Sequence, residues 1–374
     1  MILEQISILN YKNIAEAQLQ FSGKVNCLIG NNGMGKTNVL DAIYYLSYCR
    51  SFTSSNEHSA AINHDADFLM LQGRYSRKGA PEEIALSVQR GKRKTVKRNG
   101  KDYKRLSEHI GLLPLVMISP LDWDLIRGGS EERRRLMDQI ISQGNRQYLD
   151  ALIRYNKALE QRNSMIKNDY RDPLLYETVE QAMASMAAVL YETRKQWLEV
   201  FSPIFMRYYQ AIAGDAEKVR LSYKSHLSEL SMQQVFNANR DRDHIMGYTT
   251  RGVHRDDIDL WLGDHPMRKT GSQGQCKTYT IALRMAQFEF LKQYTGTTPI
   301  LLLDDIFDKL DEQRVVSIIN VVSSNRDFGQ IFITDTNRTH LDEIISIMSG
   351  DYAMFVVDNG NITPIASRQE ETKQ

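Results

Sequence analysis

The stretch "LIGNNGMGKTNVLDAIYYL", residues 28–46, constrains the fold more than any other part of this 374-residue chain. An apolar run passes into three glycines and a lysine, then into a helix-like segment with Val39, Ile43 and Leu46 on one face. Gly30, Gly35, Lys36 and Thr37 stand at the fixed places of G-x-x-x-x-G-K-[ST]. Glycine lets the backbone turn its N–H groups inward, which makes an anion cradle at the start of the following helix. In that cradle Lys36 reaches the β- and γ-phosphates of a nucleotide, and the Thr37 hydroxyl ligates Mg²⁺.

The surrounding pattern is that of an α/β protein. "ILEQISILNYKNIAEAQLQF" predicts two strands turning near Tyr11-Lys12-Asn13, and "KVNCLI" a third that feeds the loop. "FLMLQGRYS" and "EEIALSVQR" read as strands, followed by a basic hairpin turning at Asn99-Gly100. Residues 131–211 are mostly helical, broken near Gly144-Asn145 and Asp172-Pro173. Strands return at "VRLSYKS" and "DDIDLWLG". A long helix follows at "QCKTYTIALRMAQFEFLKQY", then strand "PILLLDD", a helix, strand "QIFITD" and a last helix and strand pair. Helix–strand alternation at both ends around a helical insert predicts a parallel α/β core. We expect one lobe from 1–118 with 285–374, a largely helical lobe from 119–284, and a frayed "ASRQEETKQ" tail.

Composition removes several classes. Lys+Arg 47 against Asp+Glu 46 leaves a net charge of +1, so any attraction to nucleic acid must be local. Cys27, Cys49 and Cys276 form no CxxC pair, which argues against a zinc site or disulfide framework and fits a reducing cytoplasm. No stretch approaches the roughly 20 apolar residues of a membrane span.

Two further stretches carry chemistry. "PILLLDD" at 299–305 is a strand ending in adjacent carboxylates; Asp304 is placed to hold Mg²⁺ and Asp305 to polarise an attacking water. An aspartate reaches less far than a glutamate, so slow hydrolysis is expected. In "KTGSQGQCKTYTIALRMAQ", Gly271, Ser272 and Gly274 open a second helix suited to an anion. One triphosphate already has a cradle, so the second start is expected to meet the γ-phosphate held by another copy of the chain.

In order and spread, Gly30 to Asn38, Gly271-Ser272-Gln273-Gly274-Gln275, Asp304-Asp305 and Asp308-Lys309-Leu310-Asp311 resemble the Walker A, signature, Walker B and D-loop of an ABC-type ATPase head with a helical second lobe. "NYKNI", "CRSF", "ISPLDWDLIRGGSEERRRLMDQII" and "GYTTRGVHRDDI" extend the resemblance to the RecF family over nearly the whole chain. The resemblance implies that Gly30, Asn31, Asn32, Gly33, Met34, Gly35, Lys36, Thr37 and Asn38 form the nucleotide cradle. It adds Arg50, Ser272, Gly274, Gln275 and Asp311 as nucleotide contacts, with Lys36 and Asp305 catalytic and Thr37 and Asp304 on the metal. ATP and Mg²⁺ are the implied cofactors. The sequence departs from the family at Ser130, Val253 and Asp308-Lys309, and Thr334, Asp335 and Thr336 in "FITDT" stand where many ABC ATPases have a histidine. Arg133 and Arg134 begin a helix, where positive charge opposes the dipole, so they call for a carboxylate or phosphate partner.

"RGKRKTVKRNGKDYKR" at 90–105 concentrates nine Lys/Arg against one Asp. On the residues alone this is either a lysine-protected edge hairpin or a surface for a phosphate backbone. The resemblance favours DNA on Lys92, Arg93, Lys94 and Lys97, both as duplex and at the ends of single-strand gaps. It further implies a DNA-repair protein that dimerises on ATP, hydrolyses it weakly under DNA stimulation, binds no membrane, and works with RecR and functionally with RecO to load RecA. A membrane-transporter ATPase subunit fits less well, because its helical lobe is shorter. A true SMC head fits no better, because its coiled-coil arm needs far more chain.

Overall fold

The computed structural model describes residues 1–53, 58–170, 172–215, 217–307, 312–324, 328–348 and 351–368. Asp308, Lys309, Leu310 and Asp311 lie outside the described residues. From the N-terminus, β1 (Ile2–Tyr11) and β2 (Ile14–Gln20) form the expected hairpin, and β3 (Val25–Ile29) leads through the glycine loop into α1 (Lys36–Tyr48). The chain then meanders through β4 (Phe68–Arg77), β5 (Ala80–Gln89), β6 (Thr95–Arg98) and β7 (Lys101–Asp102) before β8 (Leu115–Ile118).

The helical stretch holds α2 (Asp124–Arg127), α3 (Ser130–Gly144), α4 (Arg146–Lys167) and α5 (Pro173–Ala213). It continues through β9 (Val219–Lys224), α6 (Met232–Met246), β10 (Asp257–Leu262), β11 (His265–Pro266), α7 (Met267–Thr270) and α8 (Gln273–Thr295). Last come β12 (Ile300–Asp304), α9 (Glu312–Ser324), β13 (Ile331–Asp335), α10 (Arg338–Met348), β14 (Tyr352–Asp358) and β15 (Asn361–Arg368).

Two compact units result: Met1–Asp122 with Leu283–Gln374, and Trp123–Ala282. The first contains two six-stranded sheets, ordered β2-β1-β4-β5-β6-β7 and β15-β14-β3-β13-β12-β8. Strands β14, β3, β13, β12 and β8 are parallel, and β15 closes one edge antiparallel. Helix α1 touches strands of both sheets and is buried on nearly every side. That explains a helix apolar all round instead of along one stripe. Its Val39, Ile43 and Leu46 join Leu3, Ile6, Leu71 and Leu302 in one core.

Trp123–Ala282 packs α4 against α5 and places α6 and the small sheet β11-β10-β9 along α5. Asp172 caps α5 through the N–H groups of Leu174 and Leu175, and Pro173 supplies the fixed φ of a first turn.

The structure adds to and amends the sequence reading. Strand β8 is buried at every position, so it lacks the alternation that marks a half-exposed strand. Helix α6 buries Met232, Val235 and Phe236 but also Asn239 and Asp243, so its apolar stripe is thin. Of the tail expected to fray from Ala366, Ala366–Arg368 are paired in β15, Arg368 opposite Tyr352, and residues 369–374 lie outside the described residues.

Candidate nucleotide site

The glycine loop owes its shape to two close constraints. Gly35 sits at φ 111°, where a side chain is strained, and a Cβ there would lie 2.8 Å from the Asn13 amide. At Gly30 a Cβ would lie 2.3 Å from the Val357 carbonyl oxygen, so only glycine lets β14 approach the loop. Asn13 braces the far side: its Nδ2 donates to Met34 O at 3.1 Å, and Asn38 Nδ2 donates to its Oδ1 at 2.8 Å. Lys36 Nζ donates to Gly30 O at 2.6 Å and Asn31 O at 3.0 Å. Burial lowers the Lys36 pKa, opposed by the charges of Asp305, Asp304 and Asp335. Asn31, Asn32 and Gly33 are exposed.

Strands β12 and β13 bring the acidic end of the site to this loop. Thr37 Oγ1 donates to the Asp304 carboxylate, 2.9 and 3.0 Å from its two oxygens. Thr334 Oγ1 donates to Asp304 Oδ1 at 2.8 Å and accepts from the Asp305 N–H at 3.1 Å. Burial raises the Asp304 pKa, and the Thr334 and Thr37 hydroxyls oppose that shift. Asp305 adopts φ 48°, a sharp turn immediately after the strand. The two adjacent aspartates thus take different environments, one buried and one half-buried. Among the described residues no group of three or more His, Cys, Asp or Glu could hold a metal unaided. A threonine hydroxyl, one carboxylate and phosphate oxygens suit Mg²⁺, which keeps several waters and needs few protein ligands.

Asp41 is a site feature that the sequence reading passed over. It is fully buried in α1 and accepts from Tyr11 Oη at 2.8 Å, Ser51 Oγ at 2.6 Å and Phe52 N at 2.6 Å. Lys12 Nζ also binds it, and Thr53 Oγ1 lies at 3.1 Å. Much of "NYKNI" and "CRSF" therefore converges on one carboxylate. The available signal was an aspartate within an otherwise apolar helix.

In the other unit, Ser272 and Gln275 form a reciprocal cap on α8. Ser272 N donates to Gln275 Oε1 at 2.9 Å, and Gln275 N donates to Ser272 Oγ at 3.2 Å. This is the Ser-x-x-Gln capping pattern, legible in the sequence but not used there. Gln275 Nε2 also donates to Glu217 Oε1 at 2.9 Å. Gly274 is half-buried in the first turn. Arg127 donates to Arg268 O at 3.0 Å and Gly271 O at 3.3 Å, holding the loop before the helix.

Arg133 pairs with Asp257 at 2.7 Å, and Arg134 donates to Ser130 Oγ and to Asp256 O at 2.6 and 2.7 Å. Of the two partners left open for them, the structure supplies protein oxygens. Beside them Arg194, almost wholly buried, binds Asp138, Asp256 and Tyr148.

The basic hairpin turns at Asn99-Gly100 with φ 50° and 75°, as that dipeptide predicts. Lys92, Arg93 and Lys97 are exposed, whereas Lys94 is turned toward the end of α1. Arg50 is half-buried immediately after that helix end.

A glycine loop between a buried parallel strand and a buried helix, facing an Asp-Asp strand end and carrying a long helical insert, defines a phosphate-loop head of the SMC type. The family described as "RecF/RecN/SMC N terminal domain" matches residues 2–363. A Parabacteroides distasonis protein named DNA replication and repair protein RecF is 54% identical over 98% of this chain and 100% of its own length. The Bacteroides thetaiotaomicron protein of the same name is 50% identical over 99% and 100%. Among solved structures, that of the recombination mediator protein RecF-ATP in the RecFOR pathway superposes with a TM-score of 0.87 at 26% identity, covering 98% of each chain. An Smc head bound to the winged-helix domain of ScpA reaches 0.59 at 14% identity and shares the fold alone. The chain belongs to the RecF family of DNA replication and repair proteins.

Proposed function

We propose that this protein is a recombination mediator that binds ATP and Mg²⁺, dimerises on the nucleotide and holds DNA on its basic hairpin. The observation that carries the reading is the Thr37–Asp304–Thr334 cluster facing a glycine loop whose close approach excludes any side chain at position 30. Likeness to a structure of RecF-ATP supports ATP as the nucleotide. The backbone of residues 30–35 and the Lys36 ammonium bind the phosphates. Thr37 and Asp304 hold Mg²⁺, which neutralises charge on the transferred phosphoryl group. Asp305 orients the attacking water, and its short side chain makes turnover slow. Arg50 sits beside the nucleotide, and Asp311 is a further nucleotide contact.

The capped start of α8, with Ser272, Gly274 and Gln275, meets the γ-phosphate bound by the second copy, so two ATP molecules are completed only in a symmetric dimer. The exposed Lys92, Arg93 and Lys97 contact the DNA backbone without reading bases, with Lys94 behind them. Duplex DNA and gap ends are the substrates, in concert with RecR, RecO and RecA, and the setting is the bacterial cytoplasm. No described helix is long and apolar enough to cross a membrane.

Sedimentation velocity with Mg²⁺ and ATP, ADP or no nucleotide tests the sandwich. A dimer is expected with ATP alone, because ligand that binds the dimer better shifts the population by mass action. A monomer under all three conditions would overturn it.

A further inference from the structure

Lys94 faces the opposite way from its charged neighbours. It lies one residue before β6, on the inward side shared with buried Val96 and half-buried Arg98. Its ammonium donates to the Cys49 carbonyl and sits 3.0 Å from His58 Nε2. His58 Nδ1 lies 3.0 Å from the Tyr45 hydroxyl, and the imidazole stacks on that ring with centroids 6.1 Å apart. One side chain thus fastens the basic hairpin to the last turn of α1.

The anchored carbonyl has a particular neighbour. Cys49 ends α1 at φ 54°, its N–H bonded to Tyr45 O at 2.8 Å, and Arg50 follows it directly. Beyond Arg50, Ser51, Phe52 and Thr53 are all bonded to the buried Asp41. Arg50 therefore hangs between two fixed points, one of which is Lys94. Burial lowers the Lys94 pKa, Cys49 opposes that shift, and the nearby Arg50 charge adds to it.

We propose that Lys94 is a positioning residue that ties the hairpin to the carbonyl before Arg50, so that a phosphate backbone on Lys92, Arg93 and Lys97 shifts Arg50 and changes nucleotide turnover. This inference rests on the reading of the outer hairpin as a DNA surface and of Arg50 as a nucleotide contact. A polyanion that pulls β6 outward strains a hydrogen bond from a charged donor, and a bond of that kind carries roughly a tenfold effect.

The test compares the full chain with Lys94→Met, Lys94→Arg and the triple variant Lys92→Glu, Arg93→Glu, Lys97→Glu. ATP turnover is measured with and without duplex DNA, and DNA affinity by fluorescence anisotropy. Lys94→Met is expected to bind DNA within about twofold of the parent, because the outer cations remain. Its DNA-dependent rise in turnover should fall about tenfold, and Lys94→Arg, which keeps donor and charge, should restore it. A full rise in Lys94→Met overturns the coupling, as does a parent protein whose turnover ignores DNA. Loss of DNA affinity in Lys94→Met equal to that of the triple variant makes Lys94 a plain phosphate contact and overturns it too. Failure of Lys94→Arg to restore the rise assigns the loss to packing and does the same. If the triple variant binds DNA as well as the parent, the hairpin reading itself falls, a result separate from the others.

Discussion

At the residue scale, the site sets function against stability in Asp304. Its carboxylate is buried at the end of β12, with two threonine hydroxyls as donors. Burial raises its pKa above the ordinary value, so the folded state favours the protonated form. The sign follows: this contribution to stability is fully present below the ordinary carboxylate pKa and is lost as pH rises from there through the raised folded value. Asp304→Asn keeps an acceptor for both hydroxyls and removes the charge. Without nucleotide, the variant should melt about 1–3 °C higher at neutral pH, while its Mg²⁺-dependent ATP affinity falls. Differential scanning fluorimetry with and without Mg²⁺–ATP measures both. A variant that melts lower than the parent, or binds Mg²⁺–ATP equally well, would contradict the assignment.

At the element scale, the start of α8 has an observed cap and a proposed contact with a second copy's γ-phosphate, which substitution can separate. Ser272 Oγ accepts from Gln275 N, so Ser272→Ala removes a cap and should destabilise the helix start by about 1 kcal/mol. The small side chain leaves the helix N-terminus open, so ATP-dependent dimerisation should survive. Ser272→Arg also loses the cap but adds bulk and charge to an exposed position. It should bind ATP as a monomer, because the cradle lies on another element, and should not associate. Sedimentation of the two variants with ATP decides; equal dimerisation would remove Ser272 from the interface. Helix α1 shows how an element mixes both demands. Its apolar faces fill the space between two sheets, while Asp41 on the same helix gathers the turn at Tyr11-Lys12 and the segment 51–53.

At the scale of the whole molecule, the charge balance decides what DNA binding looks like. With a net charge of +1 there is no global field to attract a polyanion, so the proposed DNA surface on the hairpin predicts that this segment carries the salt dependence of binding. Reversing Lys92, Arg93 and Lys97 should weaken binding similarly across DNA sequences and lower the slope of log affinity against log salt by about 2 to 3. Anisotropy titrations at several salt concentrations read this slope. An unchanged slope would move the DNA surface elsewhere. Turnover without DNA should barely change, since the three side chains are exposed and belong to a segment separate from the glycine loop.

What the sequence determined by itself is the chemistry held in short, contiguous motifs. The glycine loop, the Asp-Asp strand end, the Asn99-Gly100 turn and the caps at Asp172 and Ser272 depend on neighbours a few residues away, so local sterics and hydrogen bonding dictate them. Alternation of helix and strand was enough to place the parallel core. Only the tertiary structure decided which polar side chains meet across the chain. Asp41 reads as one acidic residue in an apolar helix until the turn at Tyr11 and the segment after Arg50 close on it. Arg133 reads equally as a phosphate ligand or an ion-pair partner until Asp257, far along the chain, arrives at 2.7 Å. Lys94 belongs by composition with the outer lysines, and only the pleat of β6 and the position of Cys49 turn it inward. Such pairings depend on how distant segments pack, and burial of apolar surface, which is non-directional, leaves no local trace of them in the sequence.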